Sequence, residues 1–429
     1  MKKVNIIGAG PAGLFAAYKL VKDSPGIEVK IIDAGGAIEQ RINSKDVLRG
    51  MGGGGLMSDG KLIFDIRIGN NLKEILSPEE NQRLTDEVES IFKNFGIVKS
   101  QSNPEKANEF EKRALQQGIE FVYPKQGHIG TDELIPLMKN FQKYLEERGV
   151  KFIFNTEINN LNEWADYFIL APGRVGAGSG WMERILKENN ITYSYRPIDI
   201  GVRIEIPSLI TDEITNISRD MKCYIKTNTY QDKVRTFCTC PNGFVGQEFH
   251  EGFKTVNGHS ESGKSTTNTN FALLVTVKLT EPLTNSNQFA RNIGLSFYDL
   301  SGGKTLSQRW GDLIRHRRSR ESKQKEYNFQ STLKEITWGD LALAMPARYV
   351  SDLVEGIERL DKIIPGLASD STILHAPEIK FHGLAIQTDE YLKAKKGIYV
   401  AGDGSGFSRG IVGAAASGLR AAEGILREI

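Results

Sequence analysis

The sequence predicts an α/β protein in two parts: a parallel sheet with helices, built from both ends of the chain, and a mainly antiparallel sheet from the middle. Three observations lead to this prediction. Near the N-terminus, a short apolar strand enters a glycine-rich turn that opens a helix. From about residue 199, apolar residues alternate with polar ones, as they do in strands with one buried face. Near the C-terminus, a strand ends in Gly-Asp and precedes a helix of small residues.

The composition is that of an ordinary globular protein. The 429 residues are 39% apolar and 25% charged, and the formal net charge is +2. This near balance gives no overall field that recruits nucleic acid or an acidic membrane. The three cysteines are too few for a disulfide framework, which predicts a reducing, cytoplasmic compartment. No apolar run approaches the roughly 18 residues that span a bilayer.

The N-terminal residues predict a βαβ unit. An apolar strand at residues 4–7 enters Gly8-Ala9-Gly10-Pro11-Ala12-Gly13, and apolar residues then recur at helical spacing as far as Val21. A second strand, residues 29–32, ends on Asp33 and Ala34. An acidic residue at this point of a dinucleotide-binding fold accepts hydrogen bonds from the ribose hydroxyls, so we expect that role for Asp33.

The glycine motif itself predicts a Rossmann-like site for a dinucleotide. Gly8 permits the tight turn, Gly10 lets a pyrophosphate approach the backbone, and Gly13 lets the helix pack closely on the sheet. The helix starts at Pro11, which has no N–H, and Ala12. The unpaired N–H groups that follow Pro11 in the first turn, together with the positive end of the helix dipole, face the phosphates.

The C-terminal part of the chain favours FAD over NAD. A strand from residue 397 ends at Gly402-Asp403, and the turn Gly410-Ile411-Val412-Gly413 opens the last helix. We expect Asp403 to bind the ribityl chain. We expect the amides of Gly410, Ile411 and Val412 to face the C2 carbonyl of the flavin, where negative charge builds on reduction.

The chain resembles the FAD superfamily of the glutathione-reductase type and, within it, a family of bacterial and archaeal FAD-dependent dehydrogenases. The resemblance covers nearly the whole chain and is specific for family but not for substrate. One departure is Asp33, because many relatives have glutamate at this position. The shorter aspartate side chain reaches less far towards the ribose. The resemblance is carried by five segments: residues 53–62, His128–Asp132, Ile200–Glu205, Thr236–Pro241 and Gln308–Asp312.

The resemblance also implies cofactor contacts beyond the two ends of the chain. It places the loop after the second strand beside the flavin, where a cation at Lys61 would raise the reduction potential; a solvated lysine is the alternative. The implied contact residues in this loop are Gly54, Gly55, Ser58, Asp59, Gly60 and Lys61. The further implied contacts are Ile158, Ala171, Pro172 and Gly173.

Candidates for catalysis are Lys61, His128, Cys238 and Cys240. The two cysteines are two residues apart, so on a regular strand their side chains face one side and a redox pair is conceivable; two small structural residues are the simpler interpretation. His128 precedes a predicted helix and contacts cofactor, substrate or the fold itself. The six histidines show no paired ligand spacing, so no metal site is predicted.

The patterns assign residues 1–198 and 365–429 to the FAD-binding domain, with a helical insertion at about 77–120, and residues 199–364 to a substrate domain.

A second glycine motif, residues 173–180, is not followed by a strand that ends in a ribose-binding acidic residue, as a nicotinamide-binding fold requires. Electrons then come from the substrate, a transiently docked NAD(P)H or a protein carrier. A basic run at residues 315–325 is interpreted as a solvated face, which gives nucleic acid binding little support.

The leading hypothesis is an FAD-dependent dehydrogenase or reductase that transfers a hydride between flavin N5 and a small organic substrate. One alternative is a flavin-dependent monooxygenase with the same two-domain plan. The other is a flavoprotein that binds or modifies tRNA.

Overall fold

The computed structural model describes residues 1–42, 48–58, 60–96, 99–100, 104–129, 131–161, 165–178, 180–250, 252–260, 264–381 and 383–429. The strands are β1 Lys3–Ile7, β2 Glu28–Ile32, β3 Lys61–Ile63, β4 Lys99–Ser100, β5 Ile119–Val122, β6 Gln126–His128, β7 Lys151–Ile153, β8 Tyr167–Leu170, β9 Tyr193–Tyr195, β10 Ile198–Pro207, β11 Lys222–Lys226, β12 Lys233–Cys240, β13 Phe244–His250, β14 Phe253–His259, β15 Asn268–Val277, β16 Thr305–Arg309, β17 Ile336–Trp338, β18 Ile373–Lys380, β19 Leu384–Ile386, β20 Lys393–Lys395 and β21 Ile398–Val400. The helices are α1 Pro11–Asp23, α2 Ile38–Ile42, α3 Pro78–Phe95, α4 Pro104–Gln116, α5 Thr131–Glu146, α6 Gly173–Gly178, α7 Trp181–Glu188, α8 Ser208–Ile217, α9 Ser286–Leu300, α10 Trp310–Ile314, α11 Ala347–Asp361 and α12 Ile411–Leu426.

The first compact unit comprises Met1–Gln101, Pro124–Arg196 and His382–Ile429. Its main sheet has the strand order β20-β21-β8-β1-β2-β7, and all neighbours except β20 and β21 run parallel. The chain moves outward from β1 through β2 to β7 on one side, and β8 and β21 lie on the other. The strand order therefore reverses beside β1, and α/β sheets bind ligands at the carboxyl ends of strands next to such a reversal.

Two apolar helices, α1 and α12, pack closely in this unit. A Cβ atom built on Gly418 of α12 would lie 2.0 Å from the carbonyl oxygen of Ala12 on α1, so only glycine permits this approach. The close packing brings the first turns of both helices to the carboxyl ends of the parallel strands.

The second unit comprises Ser102–Tyr123 and Pro197–Phe381. Its sheet has the order β17-β16-β18-β10-β15-β12-β11-β5 and is antiparallel except between β16 and β17. Along β10, Ile200, Val202 and Ile204 face an apolar core, while Arg203 and Glu205 point to the opposite face. Both faces of β10 are buried.

The structure confirms the predicted fold class, a Rossmann-like parallel sheet combined with a mainly antiparallel sheet. The predicted segment boundaries differ from the compact units. Residues 373–380 form β18, which pairs with β10 in the second sheet, although the sequence placed them in the first domain. The insertion predicted at about 77–120 is divided, because β5 pairs with β11 while α3 stays in the first unit.

Residues 257–270, whose serine, threonine and asparagine content suggests a loop, include strand residues at both ends. Strand β14 extends to His259 and β15 begins at Asn268. Both strands contain polar residues that are buried beneath neighbouring elements. Because of these residues, the composition of the strands resembles that of a loop. Within the described ranges, no helix combines the length and the apolar character needed to cross a membrane.

Candidate cofactor site

The carboxyl ends of β1, β8 and β21 bring three predicted contact segments together. The amide of Ala171 donates to Ile7 O at 2.8 Å, and the amide of Ala401 donates to Leu170 O at 2.9 Å. A Cβ atom built on Gly404 would lie 2.3 Å from Gly173 O. The turn after β1, the Ala171-Pro172-Gly173 segment and the Gly402-Asp403 segment therefore line one edge of the sheet.

Gly8 and Gly13 are required by contacts within the protein. Gly8 has φ of +117°, and a Cβ atom on it would lie 2.1 Å from Ala171 O. A Cβ atom on Gly13 would lie 2.0 Å from Gly8 O. Since real Cβ atoms do not approach a carbonyl oxygen so closely, both positions depend on glycine, as the sequence predicted for the turn and for helix packing.

Gly10 and Gly410 have no such explanation within the protein. A Cβ atom on Gly10 would be 3.8 Å from its nearest neighbour, Gly53 Cα, and one on Gly410 would meet nothing within 4 Å. Both residues have ordinary backbone angles. They are the N-cap residues of α1 and α12, and neither helix has a side-chain cap. Open space beside uncapped amides at both helices suits an anionic or carbonyl-bearing ligand.

Asp33 connects three loops at this edge. Its carboxylate accepts hydrogen bonds from the amides of Ala9 at 2.7 Å, Gly35 at 2.8 Å and Gly50 at 2.8 Å. A carboxylate offers about four acceptor positions, so capacity for a ribose hydroxyl remains. The short aspartate side chain thus also holds the glycine turn, a function that the sequence did not reveal. Ala34 beside it is exposed.

The glycine-rich loop after α2 lies against the start of α1. The amide of Gly52 donates to Ala9 O at 2.8 Å, and a Cβ atom on Gly53 would lie 3.0 Å from Gly10 Cα. Arg41, which is buried, donates from Nη1 to Met51 O at 2.5 Å and to Gly53 O at 2.8 Å. Sequence analysis missed Arg41, because nothing in its local pattern indicates that its guanidinium turns inward to support a loop.

The rest of this loop runs towards the start of α12. A Cβ atom on Gly55 would lie 3.4 Å from Ile411 and 3.6 Å from Pro11, so the loop passes between the two helix starts. Ser58 donates to Gly55 O at 2.7 Å and accepts from the amide of Gly60 at 3.2 Å, which makes it a turn-forming residue. Gly54 is exposed in the same loop. Asp59 lies outside the described residues.

Lys61 and His128 are brought together by backbone pairing. Lys61 opens β3 and is the register partner of His128 on β6, although the two residues are far apart in sequence. Lys61 is half-buried. The two segments that carried the family resemblance in this unit are therefore adjacent.

Asp403 forms an ion pair at the end of β21. Its Oδ2 atom lies 2.5 Å from Nε of Arg174, which follows Gly173 at the end of β8. The amide of Gly402 donates to Ser417 Oγ on α12 at 2.8 Å. Arg174 and Ser417 were not predicted, because only strand pairing and helix packing bring them to Asp403 and Gly402.

Two other sequence predictions have a clear position. The carbonyl of Ile158 accepts a hydrogen bond from Trp181 Nε1 at 2.6 Å, so this predicted contact supports α7 in the structure. Part of the second glycine motif forms the short helix α6 at Gly173–Gly178, and Gly180 is the N-cap residue of α7. A Cβ atom on Gly173 would meet nothing within 4 Å, which adds open space at the same edge.

Comparison with known proteins identifies the dinucleotide. Residues 6–64 match a family model described as NAD(P)-binding Rossmann-like domain, and residues 197–380 match one described as FAD-dependent protein, C-terminal domain-like. The chain is an FAD-dependent oxidoreductase. The glycine turn, the two uncapped helix starts and the open space at Gly10, Gly173 and Gly410 fit an FAD molecule bound along this edge.

Individual relatives are distant. A protein of Clostridium beijerinckii is described only as uncharacterized. It is 25% identical over an alignment of 475 residues, which covers 99% of this chain and 80% of that protein. Glycine oxidase from Bacillus cereus aligns at 11% identity with a TM-score of 0.37, covering 100% of this chain and 96% of that one. A 2-methyl-3-hydroxypyridine-5-carboxylic acid oxygenase aligns at 10% identity with a TM-score of 0.38, covering 100% and 82%. These modest TM-scores assign no activity.

Cys238 and Cys240 of the oxidoreductase do not lie on a regular strand. Cys238 has φ of +49°, and the register between β12 and β15 shifts between Phe237 and Cys240. The assumption that alternate residues of a strand face the same side therefore fails at this bulge. Neither cysteine forms a disulfide, and Cys240 Sγ donates to Cys238 O at 3.6 Å. The described residues contain no group of three or more side chains suited to a metal ion.

The sheet of the second unit has a buried ionic face centred on Arg203. Its guanidinium donates from Nε and Nη2 to the two carboxylate oxygens of Glu378, each at 2.7 Å, and both side chains are fully buried. Nη1 donates to Asn270 Oδ1 at 2.8 Å. A Cβ atom on Gly258 would lie 2.2 Å from Nη1, so β14 covers the pair through a glycine backbone.

Glu205 is the second centre of this face. It accepts from Thr332 N at 2.9 Å and Asn268 Nδ2 at 2.9 Å, and it lies 3.0 Å from His375 Nε2. Burial alone would raise the pKa of its carboxyl, but these hydrogen bonds outweigh burial and lower the pKa to about 2. His375 also lies 2.7 Å from Ser307 Oγ, through Nδ1. These partners were not predicted, because they lie on four separate segments.

Asp352 on α11 gives this unit a pH-dependent stability. Burial, together with neighbouring Asp232, raises the pKa of Asp352 to about 6, although Thr227 Oγ1 donates to it at 2.7 Å. Because the folded pKa exceeds the ordinary value of 3.8, the native state is stabilised below that value and loses this stability as pH rises through about 6.

We therefore expect Asp352→Asn to raise the free energy of unfolding at pH 7.5 by roughly 1 kcal/mol and to flatten its decline between pH 4 and 6. Urea unfolding at several pH values measures both effects. Asp299→Asn, at an exposed position in the same unit, is the control. Parallel pH curves for native protein and Asp352→Asn would contradict the expectation.

Proposed function

We propose that this oxidoreductase is a dehydrogenase or reductase that transfers a hydride between flavin N5 and a small organic substrate, and that its first unit is of the glutathione-reductase type. The observation that carries the proposal is the convergence of two uncapped helix starts, α1 and α12, at one edge of the parallel sheet. One helix start suits a pyrophosphate, and a second suits the carbonyl edge of a flavin. We further propose that the second unit supplies the substrate-binding residues.

The proposed binding roles follow from this arrangement. The amides at the start of α1, beside Gly10 and Ala12, hold the pyrophosphate. The amides of Ile411 and Val412 face the flavin carbonyl edge, where they stabilise negative charge. Bound FAD supplies the acceptor for two electrons. Lys61 adds positive charge beside that site. The small number of cysteines, three in the whole chain, supports a reducing, cytoplasmic compartment.

Rapid anaerobic reduction tests the reaction class. Candidate small substrates and NAD(P)H are mixed with the yellow protein, and loss of the flavin absorbance is followed before oxygen is admitted. Reduction by a small substrate, followed by simple reoxidation, supports a dehydrogenase. A transient C4a-hydroperoxide spectrum on oxygen addition would instead indicate a monooxygenase, and protein that neither contains nor takes up FAD would refute the site.

Asp403 is expected to contribute to FAD retention. Asp403→Ala removes a carboxylate acceptor, and a hydrogen bond involving a charged group contributes about 1.5–3 kcal/mol, so we expect roughly 10- to 100-fold weaker FAD binding. Titration of apoprotein with FAD gives the dissociation constant. Glu390→Ala, at an exposed carboxylate of the same unit, should bind FAD normally.

Arg174→Met separates two explanations of an Asp403 effect. If Asp403 binds the ribityl chain directly, Arg174→Met weakens FAD binding less than Asp403→Ala does. Equal losses in both variants would mean that the ion pair between Arg174 and Asp403, rather than a direct contact with FAD, supports binding.

A further inference from the structure

An exposed loop of the second unit, residues 315–326, is strongly basic and is called the basic loop below. Six arginine and lysine side chains and two glutamates lie within it, which gives a formal charge of +4, against +2 for the whole chain. The remaining residues together are therefore net negative. A local field of this kind steers oppositely charged partners towards one surface.

Four cations of the basic loop have no carboxylate partner within the described part of the chain. Arg315 pairs with Asp370 at 2.8 Å and Arg317 pairs with Asp312 at 2.6 Å. The other four cations are exposed and form no ion pair with a described residue: Arg318, Arg320, Lys323 and Lys325.

The basic loop is held from beneath by buried side chains. Ser319, which is fully buried, donates to Asp312 Oδ2 at 2.6 Å and accepts from the amide of Arg309 at 2.8 Å. Gln324, also buried, accepts from Arg309 Nε at 2.9 Å and donates to Arg320 O at 3.0 Å. Because these anchors order the backbone before any encounter, docking at this surface loses less conformational entropy.

The aromatic residues that follow the basic loop point inward. The guanidinium of Arg309 lies 4.2 Å from the ring centre of Tyr327, 5.1 Å from that of Phe329 and 5.2 Å from that of Trp338. Proteins that bind single-stranded nucleic acid stack bases on exposed aromatic rings. These rings are engaged with Arg309, so the surface offers charge without a stacking platform, which favours an acidic protein over RNA.

We propose that the basic loop docks a small acidic electron-carrier protein. The proposal rests on the proposed function, since that reaction needs an electron partner. The described residues of the two units contain no second βαβ dinucleotide fold that would bind a nicotinamide. A carrier of this class would supply or accept one electron per encounter. Full reduction of FAD would consume two reduced carriers and two protons from solvent and release two oxidised carriers.

Binding of the FAD-loaded protein to oxidised flavodoxin and to oxidised ferredoxin, measured by calorimetry at several salt concentrations, tests the proposal. The test variant replaces Arg318, Arg320, Lys323 and Lys325 with glutamine. The control variant removes four charges from exposed lysines elsewhere, Lys73, Lys106, Lys112 and Lys362.

We expect native protein to bind at least one carrier, with affinity falling as salt rises, and the test variant to bind about 10-fold more weakly or worse. The control variant should bind within about 2-fold of native protein. Equal binding by test and control variants, binding of neither carrier, or tighter binding of tRNA than of carrier would overturn the proposal. FAD content and bleaching by dithionite report separately on the cofactor site.

Discussion

Gly13→Ala is expected to unfold or severely loosen the first unit, whereas Gly10→Ala should leave the apoprotein intact and still prevent FAD binding. A Cβ atom at residue 13 would lie 2.0 Å from Gly8 O, which is backbone and cannot rotate away. Helix α1 would have to move off β1, at a cost of about 3 kcal/mol or more. At residue 10 the nearest protein atom is 3.8 Å away, so an added methyl group fills only the space proposed for the pyrophosphate.

Thermal unfolding of the apoproteins and titration with FAD measure the two effects separately. Gly10→Ala should weaken FAD binding at least 100-fold, which corresponds to about 2.7 kcal/mol, with an unchanged melting temperature. Gly26→Ala is the matched control, because a Cβ atom there meets nothing within 4 Å. Normal FAD affinity in folded Gly10→Ala would mean that this glycine does not face the cofactor.

Loss of one partner from the buried Arg203–Glu378 pair should have the other large effect. Glu378→Gln leaves the guanidinium of Arg203 in a fully buried position without its carboxylate, and it removes the carboxylate 3.1 Å from Lys380 Nζ. Breaking such a pair typically costs about 3–5 kcal/mol, because the remaining charge cannot recover its hydration. We expect a loss of this size in the free energy of unfolding of the second unit.

Urea unfolding of native protein and variant checks this expectation. Glu335→Gln is the control, since the ion pair between Glu335 and Lys254 leaves the Glu335 side chain 63% exposed. Exposed pairs of this kind contribute about 0–1 kcal/mol. Similar small losses in Glu378→Gln and Glu335→Gln would show that the buried charge of Arg203 is satisfied by other groups.

Local sequence patterns predicted the structure correctly where it depends on residues that are close together in the sequence. Strand, glycine turn and helix follow one another within Lys3–Asp23, so apolar spacing and the glycine positions predicted the turn correctly. The structure then supplied the reason for each glycine, backbone crowding at Gly8 and Gly13 and open space at Gly10. At Cys238 the same local reasoning was wrong, because a bulge changes strand alternation without leaving a clear sequence pattern.

Predictions that depend on long-range pairing were incomplete for a physical reason. Strand β18 reads as a buried strand in either domain, and only its hydrogen bonds with β10 and β16 place it in the second sheet. The partners of Asp403 and Glu205 were missed in the same way. Arg174 reaches Asp403 across two neighbouring strand ends, and His375 reaches Glu205 from a strand 170 residues away.

By itself, the sequence determined the fold class and the Rossmann-like glycine turn, because periodicity and glycine positions act over a few residues. The family match added the cofactor class. Tertiary structure decided which glycines face open space and which face backbone, how Asp33 holds three loops, and where buried charges find partners. It also decided that the basic run is an ordered surface, since Ser319 and Gln324 anchor it through contacts that no local pattern encodes.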